Sequence, residues 1–400
     1  MRSVLVAALA ACGLALVGCE KKASSPPAAS ATPGTAATPA GGTPWVTADT
    51  ILIGEIGSLT GSEATFGIST KNAIELALKE VNAAGGVKGK KVEVRVYDDQ
   101  SKPEEAANAA TRLINQDQVL LILGEVASTN SLAMARKAQP AAVPMISNAS
   151  TNPKVTEVGD YIFRVCFIDP FQGFVMAKFA RDHLKLNKVA ILRDLGSDYS
   201  QGLSDVFERK FTEMGGKIVG QETYTKGNTD FRSQLTALKR LQPEGIYIPG
   251  YYNDVGIIAK QAKELGINAK LMGGDGWDSE KLFELGGTAV QGNYFSNHYS
   301  PDDPNPRIQK FIADYKALWG SVPDSLAALG YDAAMVATYF VLPLPTSRTT
   351  AGLVAFRLSS SVMVPVTPGK FFVAAIAFRT LTRSRFGARF IASTATMAAS

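Results

Sequence analysis

Beyond Thr50 the apolar positions of the chain switch repeatedly between a period of two and a period of 3.6. Thr50 to Ile56 has the apolar character of a strand and runs into Gly57 and Gly61. Ile74, Ala77, Leu78 and Val81 then share one helical face, and the pair Gly85-Gly86 ends that helix. Val92, Val94 and Val96 alternate as a strand. Ala106, Ala110, Leu113 and Ile114 return to helical spacing, and Val119 to Leu123 is the unbroken apolar run of a strand buried on both faces. The scheme recurs further on. Lys188 to Arg193, Lys217 to Tyr224, Gly245 to Pro249 and Lys270 to Met272 are strand-like, with helices between them at Phe231 to Leu241 and Val255 to Leu265. This alternation predicts an α/β protein with parallel sheets covered by helices on both faces.

One unit occurs twice. Helix end, Gly-Gly, strand, tyrosine, polar loop and helix run from Asn82 to Ile114 around Tyr97, and again from Glu213 to Leu241 around Gly215, Gly216 and Tyr224. The repetition predicts two similar lobes, although generic α/β units also resemble one another by chance. Open parallel sheets bind ligands beyond the carboxyl ends of their strands. Two lobes facing each other with such ends make a cleft that closes on a solute, the crossing strands serving as hinges.

The amino terminus reads as an export signal. Arg2 is followed by an apolar stretch from Val4 to Val17, too short to span a bilayer, that ends at Leu16-Val17-Gly18-Cys19. This ending resembles the lipobox of bacterial lipoproteins, which implies cleavage after residue 18 and a lipid on Cys19, with an ordinary secretory signal as the alternative. Residues 19–47 are largely Ala, Pro, Ser, Thr and Gly, a composition that cannot bury enough surface to offset its ordering entropy, and are read as a flexible tether. The folded part is thus expected in the periplasm or at the cell surface, meeting the membrane through its anchor alone. With Cys12 removed and Cys19 lipidated, Cys166 is left without a disulfide partner. It sits in the apolar run Ile162 to Phe167, where a core role is expected in the absence of a neighbouring base.

The net charge of +5 misleads. From Ala333 to the end the chain has seven Lys and Arg residues and no Asp, Glu, Asn, Gln or His; without those seven the balance is 34 basic against 36 acidic. A near-neutral body argues against a nucleic-acid partner.

Several stretches, in order between about Ala48 and Ala337, carry a more specific resemblance: Ile53-Gly54 through Leu59-Thr60-Gly61, Asn82 to Val87, Tyr97-Asp98-Asp99, Gly124 to Ser128, Pro144 to Ser147, Gly250-Tyr251, and Met272 to Gly276. Together they resemble the periplasmic binding proteins for leucine, isoleucine and valine. The resemblance implies a type I periplasmic binding protein fold, two Rossmann-like lobes joined by three crossings. Its implied division is lobe 1 at 48–168, lobe 2 at 169–296 and a return to lobe 1 at 297–338. It also implies delivery of a small amino acid to ABC permease subunits, with no cofactor.

A free amino acid is a zwitterion, so its site needs donors for a carboxylate, an acceptor for an ammonium and an apolar place for the side chain. By resemblance Ser128, Ala149 and Thr151 serve the carboxylate, the two hydroxyls alternatively being helix caps. Asp275 takes the ammonium where leucine-type proteins have a glutamate, one methylene longer; between glycines it is otherwise a turn residue. Tyr199 and Tyr251 close over the guest from the second lobe, or pack in a core. Phe66 and Val126 keep the side-chain pocket apolar, and Trp277 is expected to narrow it. Asp98-Asp99 reads as a polar strand end rather than a metal site.

After about Thr338 the resemblance stops. Pro343 and Pro345 break a helix, and at the body's frequency roughly seven acids would occur in the remaining length, where there are none. Residues 339–400 are therefore read as an aberrant tail from a shifted reading frame, or as a divergent native one. Two other functions stand beside transport. An extracytoplasmic sensor for an amide, carboxylate or aromatic compound would use the same fold. An enzyme would need acid–base or metal chemistry, for which His183 and His298 lie in no recognisable spacing.

Overall fold

The structure, a computed structural model, describes residues 46–341, 377–384 and 387–393. The export signal, Cys19, all but the end of the tether and most of the tail lie outside the described residues. Five strands form the first sheet: β1 (Thr50–Gly57), β2 (Lys91–Asp98), β3 (Ile122–Leu123), β4 (Met145–Ser147) and β5 (Ile162–Arg164), in the order β2-β1-β3-β4-β5. All its pairings are parallel. The second sheet holds β6 (Lys188–Asp194), β7 (Lys217–Tyr224), β8 (Gly245–Tyr247), β9 (Lys270–Gly273) and β10 (Tyr294–Asn297), in the order β7-β6-β8-β9-β10, again parallel. The two sheets repeat one strand order. The sequence echo corresponds to the same unit at the same sheet edge, β2 in one lobe and β7 in the other.

Each sheet is sandwiched by helices, as the apolar periods predict. In the first lobe these are α1 (Ala64–Ala83), α2 (Pro103–Asn115), α3 (Ser128–Ala138) and the single turn α4 (Lys154–Glu157). Ile53 on β1 packs with Ile74, Ala77 and Leu78 of α1, while Ile56 packs on the other face with Ala106, Ala110 and Leu113 of α2. The second lobe carries α5 (Asp169–Lys178), α6 (Asp198–Glu213), α7 (Arg232–Arg240), α8 (Tyr252–Glu264) and α9 (Glu280–Gly286). After β10 the chain returns to the first lobe, where α10 (Pro306–Trp319) and α11 (Ser325–Val336) pack on α1. Gly86 allows the stop after α1: its φ is +71°, and a Cβ there would lie 2.0 Å from the Lys90 carbonyl oxygen.

Some expectations need correction. The ladder of β3 covers two residues rather than Val119 to Leu123, because at Leu120 and Leu121 the chain makes single bonds to β1 instead of continuous pairing. β8 stops at Tyr247, two residues short of Pro249, which has no N–H to give a neighbour. Within the tail, β11 (Ala377–Ser384) pairs antiparallel with β10, and β12 (Gly387–Ser393) with β11. The β10 edge of the second sheet is therefore covered by β11 and β12.

Candidate functional site

Three loops of the first lobe are brought together by buried polar contacts. The Glu125 carboxylate accepts from the N–H groups of Ser58 (3.1 Å) and Ala127 (2.7 Å), joining the loop after β1 to the loop after β3. Asp99, after β2, accepts from Ser58 Oγ (2.7 Å) and Asn130 Nδ2 (2.9 Å). Asp98 accepts from the N–H groups of Leu59, Thr60 and Gln100. Both aspartates are thus occupied in holding loops. The loop after β4 docks on the same place through Ser150 Oγ, which donates to Val126 O at 2.9 Å, and Ser147 Oγ, which donates to Glu125 O at 2.8 Å. These bonds fix Val126, Ser128, Ala149 and Thr151 at the carboxyl end of the sheet, and α1 adds Phe66 beside them.

Neither hydroxyl of this lobe is a helix cap. Ser128 opens α3, and its Oγ accepts from Asn152 N at 3.3 Å rather than from its own helix. The first N–H groups of α3 have no acceptor within the helix, which suits them to an anion. Thr151 Oγ1 is buried beside the Asp169 carboxylate without completing a hydrogen bond of regular geometry.

The second lobe contributes Asp275, at the start of a short turn after β9. It does more than turn the chain. Its Oδ1 accepts from Gln172 Nε2 (2.8 Å) and Tyr199 Oη (2.9 Å), and its Oδ2 lies 3.0 Å from His298 Nε2. Tyr199 stacks on Tyr251 at 5.3 Å with planes 5° apart, and Tyr251 meets the Phe66 edge at 5.7 Å. The aromatic column thus crosses from one lobe to the other.

Phe66, Val126, Ser128, Ala149, Thr151, Tyr199, Tyr251 and Asp275 all line one cavity, joined by Gly276 and Leu326. Its interior volume is about 10 Å³, roughly the room for one water molecule and far below the roughly 300–1,000 Å³ of sites for drug-sized ligands. All eight are buried, Val126 and Tyr251 being the most open at 8%. The lobes are therefore closed on each other. Thr129 Oγ1 and the Asp198 N–H are 3.0 Å apart, Thr65 Oγ1 and Ser279 Oγ also 3.0 Å, and Lys226 Nζ reaches Glu63 Oε1 at 2.7 Å.

A family model described as "Periplasmic binding protein" matches residues 50–355. The chain belongs to the periplasmic binding protein family. Among curated relatives, the Leu/Ile/Val-binding protein homolog 3 of Brucella melitensis is 33% identical over 268 residues, 67% of this chain and 72% of that protein. The crystal structure of the leucine binding protein LivK of Thermotoga maritima is 37% identical, with a TM-score of 0.77 over 85% of this chain and 97% of that one. A solute binding protein of an ABC transporter from Rhodopseudomonas palustris, solved with 3,4-dihydroxybenzoic acid, is 26% identical, with a TM-score of 0.72 over 86% and 97%. As a periplasmic binding protein of the ABC-importer type, the chain binds a solute rather than catalysing a reaction. The family match also runs past Thr338, where the residue-by-residue resemblance ends.

Other residues of the site escaped the sequence reading. Asp169 opens α5 with its carboxylate buried, and burial pushes its pKa up to about 8, the Thr151 hydroxyl opposing and Asp275 adding to the rise. Gln172, one turn on, joins Asp275 to Ser296 Oγ at 2.9 Å. His298 lies in no catalytic spacing in the sequence. A usable clue was its position just beyond the apolar Tyr294-Phe295 pair, at a strand's carboxyl end. Trp277, expected to narrow the pocket, instead turns away from it: it is buried against Phe295 with Nε1 donating to Ile248 O at 2.9 Å. Cys166 is half-buried, its Sγ 3.3 Å from Ser150 O, and burial pushes the thiol up to about 12.

Proposed function

We propose that the chain captures a small free amino acid, of the branched-chain type first, between its lobes and delivers it to ABC permease subunits. Ser128, Ala149, Thr151 and the N-terminus of α3 take the carboxylate, Asp275 takes the ammonium, and Phe66, Val126 and Leu326 surround the side chain. The observation that carries this reading is the shared cavity, with hydroxyl and N–H groups contributed by one lobe and a carboxylate by the other. The Brucella and Thermotoga relatives, named for leucine-type ligands, support it. Lobe 1 is taken as 48–168 with a return at 297–338, lobe 2 as 169–296, and a lipid on Cys19 tethers both to the membrane.

A thermal-shift screen of free amino acids and carboxylic acids on the full chain tests this. Leucine, isoleucine and valine should raise the melting temperature, since a ligand bound only by the folded state stabilises it by mass action. The dihydroxybenzoate-bearing relative favours a second reading, an aromatic carboxylate as the guest of a transporter or sensor. Stabilisation by hydroxybenzoates and not by amino acids would establish that reading and overturn the first. The acid-free composition after Thr338 supports a shifted reading frame for the tail. The intact mass of the natively expressed protein tests it: a mass matching the printed chain after signal removal contradicts the shift.

A further inference from the structure

The described chain passes between the lobes on two segments, one joining β5 to α5 and the other joining β10 to α10. Phe167 lies on the first and His298 on the second, and their rings stack with centroids 3.8 Å apart and planes at 20°. His298 is buried. Its Nε2 meets Asp275 Oδ2 at 3.0 Å, while Oδ1 of the same carboxylate is taken by Gln172 and Tyr199. An ionised carboxylate only accepts, so this arrangement places the imidazole proton on Nε2. Three of its roughly four acceptor positions are then filled by fixed donors, which leaves one direction for the N–H of a guest.

We infer that His298 is a positioning residue: from the crossing segment it holds the Asp275 carboxylate so that its remaining acceptor site meets an ammonium, tying the choice of an amino-bearing guest to the geometry of the hinge. The inference rests on the amino-acid reading of the cleft. Gln172 and Tyr199 orient Asp275 from within its own lobe. His298 does so from the segment that must rotate when the lobes part, and its stacking on Phe167 makes that orientation a property of the crossing pair. Without His298, the carboxylate can turn toward other donors, and preference for the amino group falls while contacts to the guest's acid end and side chain persist.

The test has two arms. The chain contains only two histidines, so nitrogen-15 imidazole spectra are simple to assign with a His183→Gln control. A protected Nε2–H resonance from His298 that moves in Asp275→Asn is expected without any ligand; an exchanging, unprotected ring that ignores the substitution overturns the inference. In the second arm, L-leucine and 4-methylpentanoate, the same skeleton without the amino group, are titrated into wild type, His298→Phe and His298→Gln. His298→Phe should weaken leucine about tenfold or more and leave 4-methylpentanoate within about twofold, with partial recovery in His298→Gln through its amide N–H. Equal weakening of both probes, or of neither, overturns the positioning role. A wild type that binds leucine no better than 4-methylpentanoate overturns the amino-acid reading instead, and the imidazole resonance then decides the His298–Asp275 bond on its own.

Discussion

Ser128 and Asp275 reach the cavity from opposite lobes, and in the proposed reading each serves the part of a zwitterion the other cannot. Removing either would leave one ligand charge without its partner in a buried site. Ser128→Ala and Asp275→Ala should each cost about 1–3 kcal/mol of affinity for L-leucine by calorimetry; unchanged isotherms for both would remove them from the site. A second prediction concerns the buried acids. Burial pushes Glu55, in the middle of β1, up to about 8. The folded state then keeps a proton that the unfolded chain releases above the ordinary carboxylate range. Its contribution to stability is present below that range and lost as pH rises through about 8. Asp169, also raised to about 8, acts with the same sign. Melting temperature should fall between about pH 5 and about pH 9, and fall less in Glu55→Gln; parallel curves would show that Glu55 does not titrate in that window. At this scale the sequence was legible through family likeness alone. Nothing in the spacing of Ser128, Thr151 and Asp275 says that they meet. Gln172 and His298 were missed because they act through contacts 103 and 23 residues away in the chain.

The elements were far more readable, because burial on both faces leaves a period that local sequence can show. Helices α1, α2, α7 and α8 and strands β1, β2, β6 and β7 stand where their apolar positions put them. Misjudged ends, as at Leu120 and Pro249, follow from pairing, which depends on a neighbouring strand rather than on the segment itself. Pairing also sets how the lobes meet. The loop after β7 carries Lys226 across the cleft to Glu63, just before α1, with a further bond to Ser101 O at 2.9 Å. Glu63 is almost fully buried, so loss of the lysine leaves a carboxylate without its cation. Lys226→Met should raise the leucine dissociation rate roughly tenfold in stopped-flow experiments, with a smaller change in association. A rate equal to wild type would mean that the pair does not hold the closed state.

For the molecule as a whole, two copies of one parallel sheet face each other with their loop-bearing ends, and one hydrophobic cluster runs from Phe66, Val126 and Ala149 into Tyr199, Tyr251 and Trp277. That continuity is the closed state expressed as packing, and parting the lobes exposes it unless a guest or water takes its place. Nothing in the sequence foretold the pairing of β11 on β10, since strand partners far along the chain leave no local trace. The central claim is that this cleft closes on a zwitterion held acid end to lobe 1 and amine end to lobe 2. A crystal structure of the full chain grown with L-leucine tests it most directly. The account predicts one leucine inside the cavity, its carboxylate on Ser128 and Thr151 and its ammonium on Asp275. A cleft without leucine, or a leucine with its carboxylate turned toward Asp275, would contradict it.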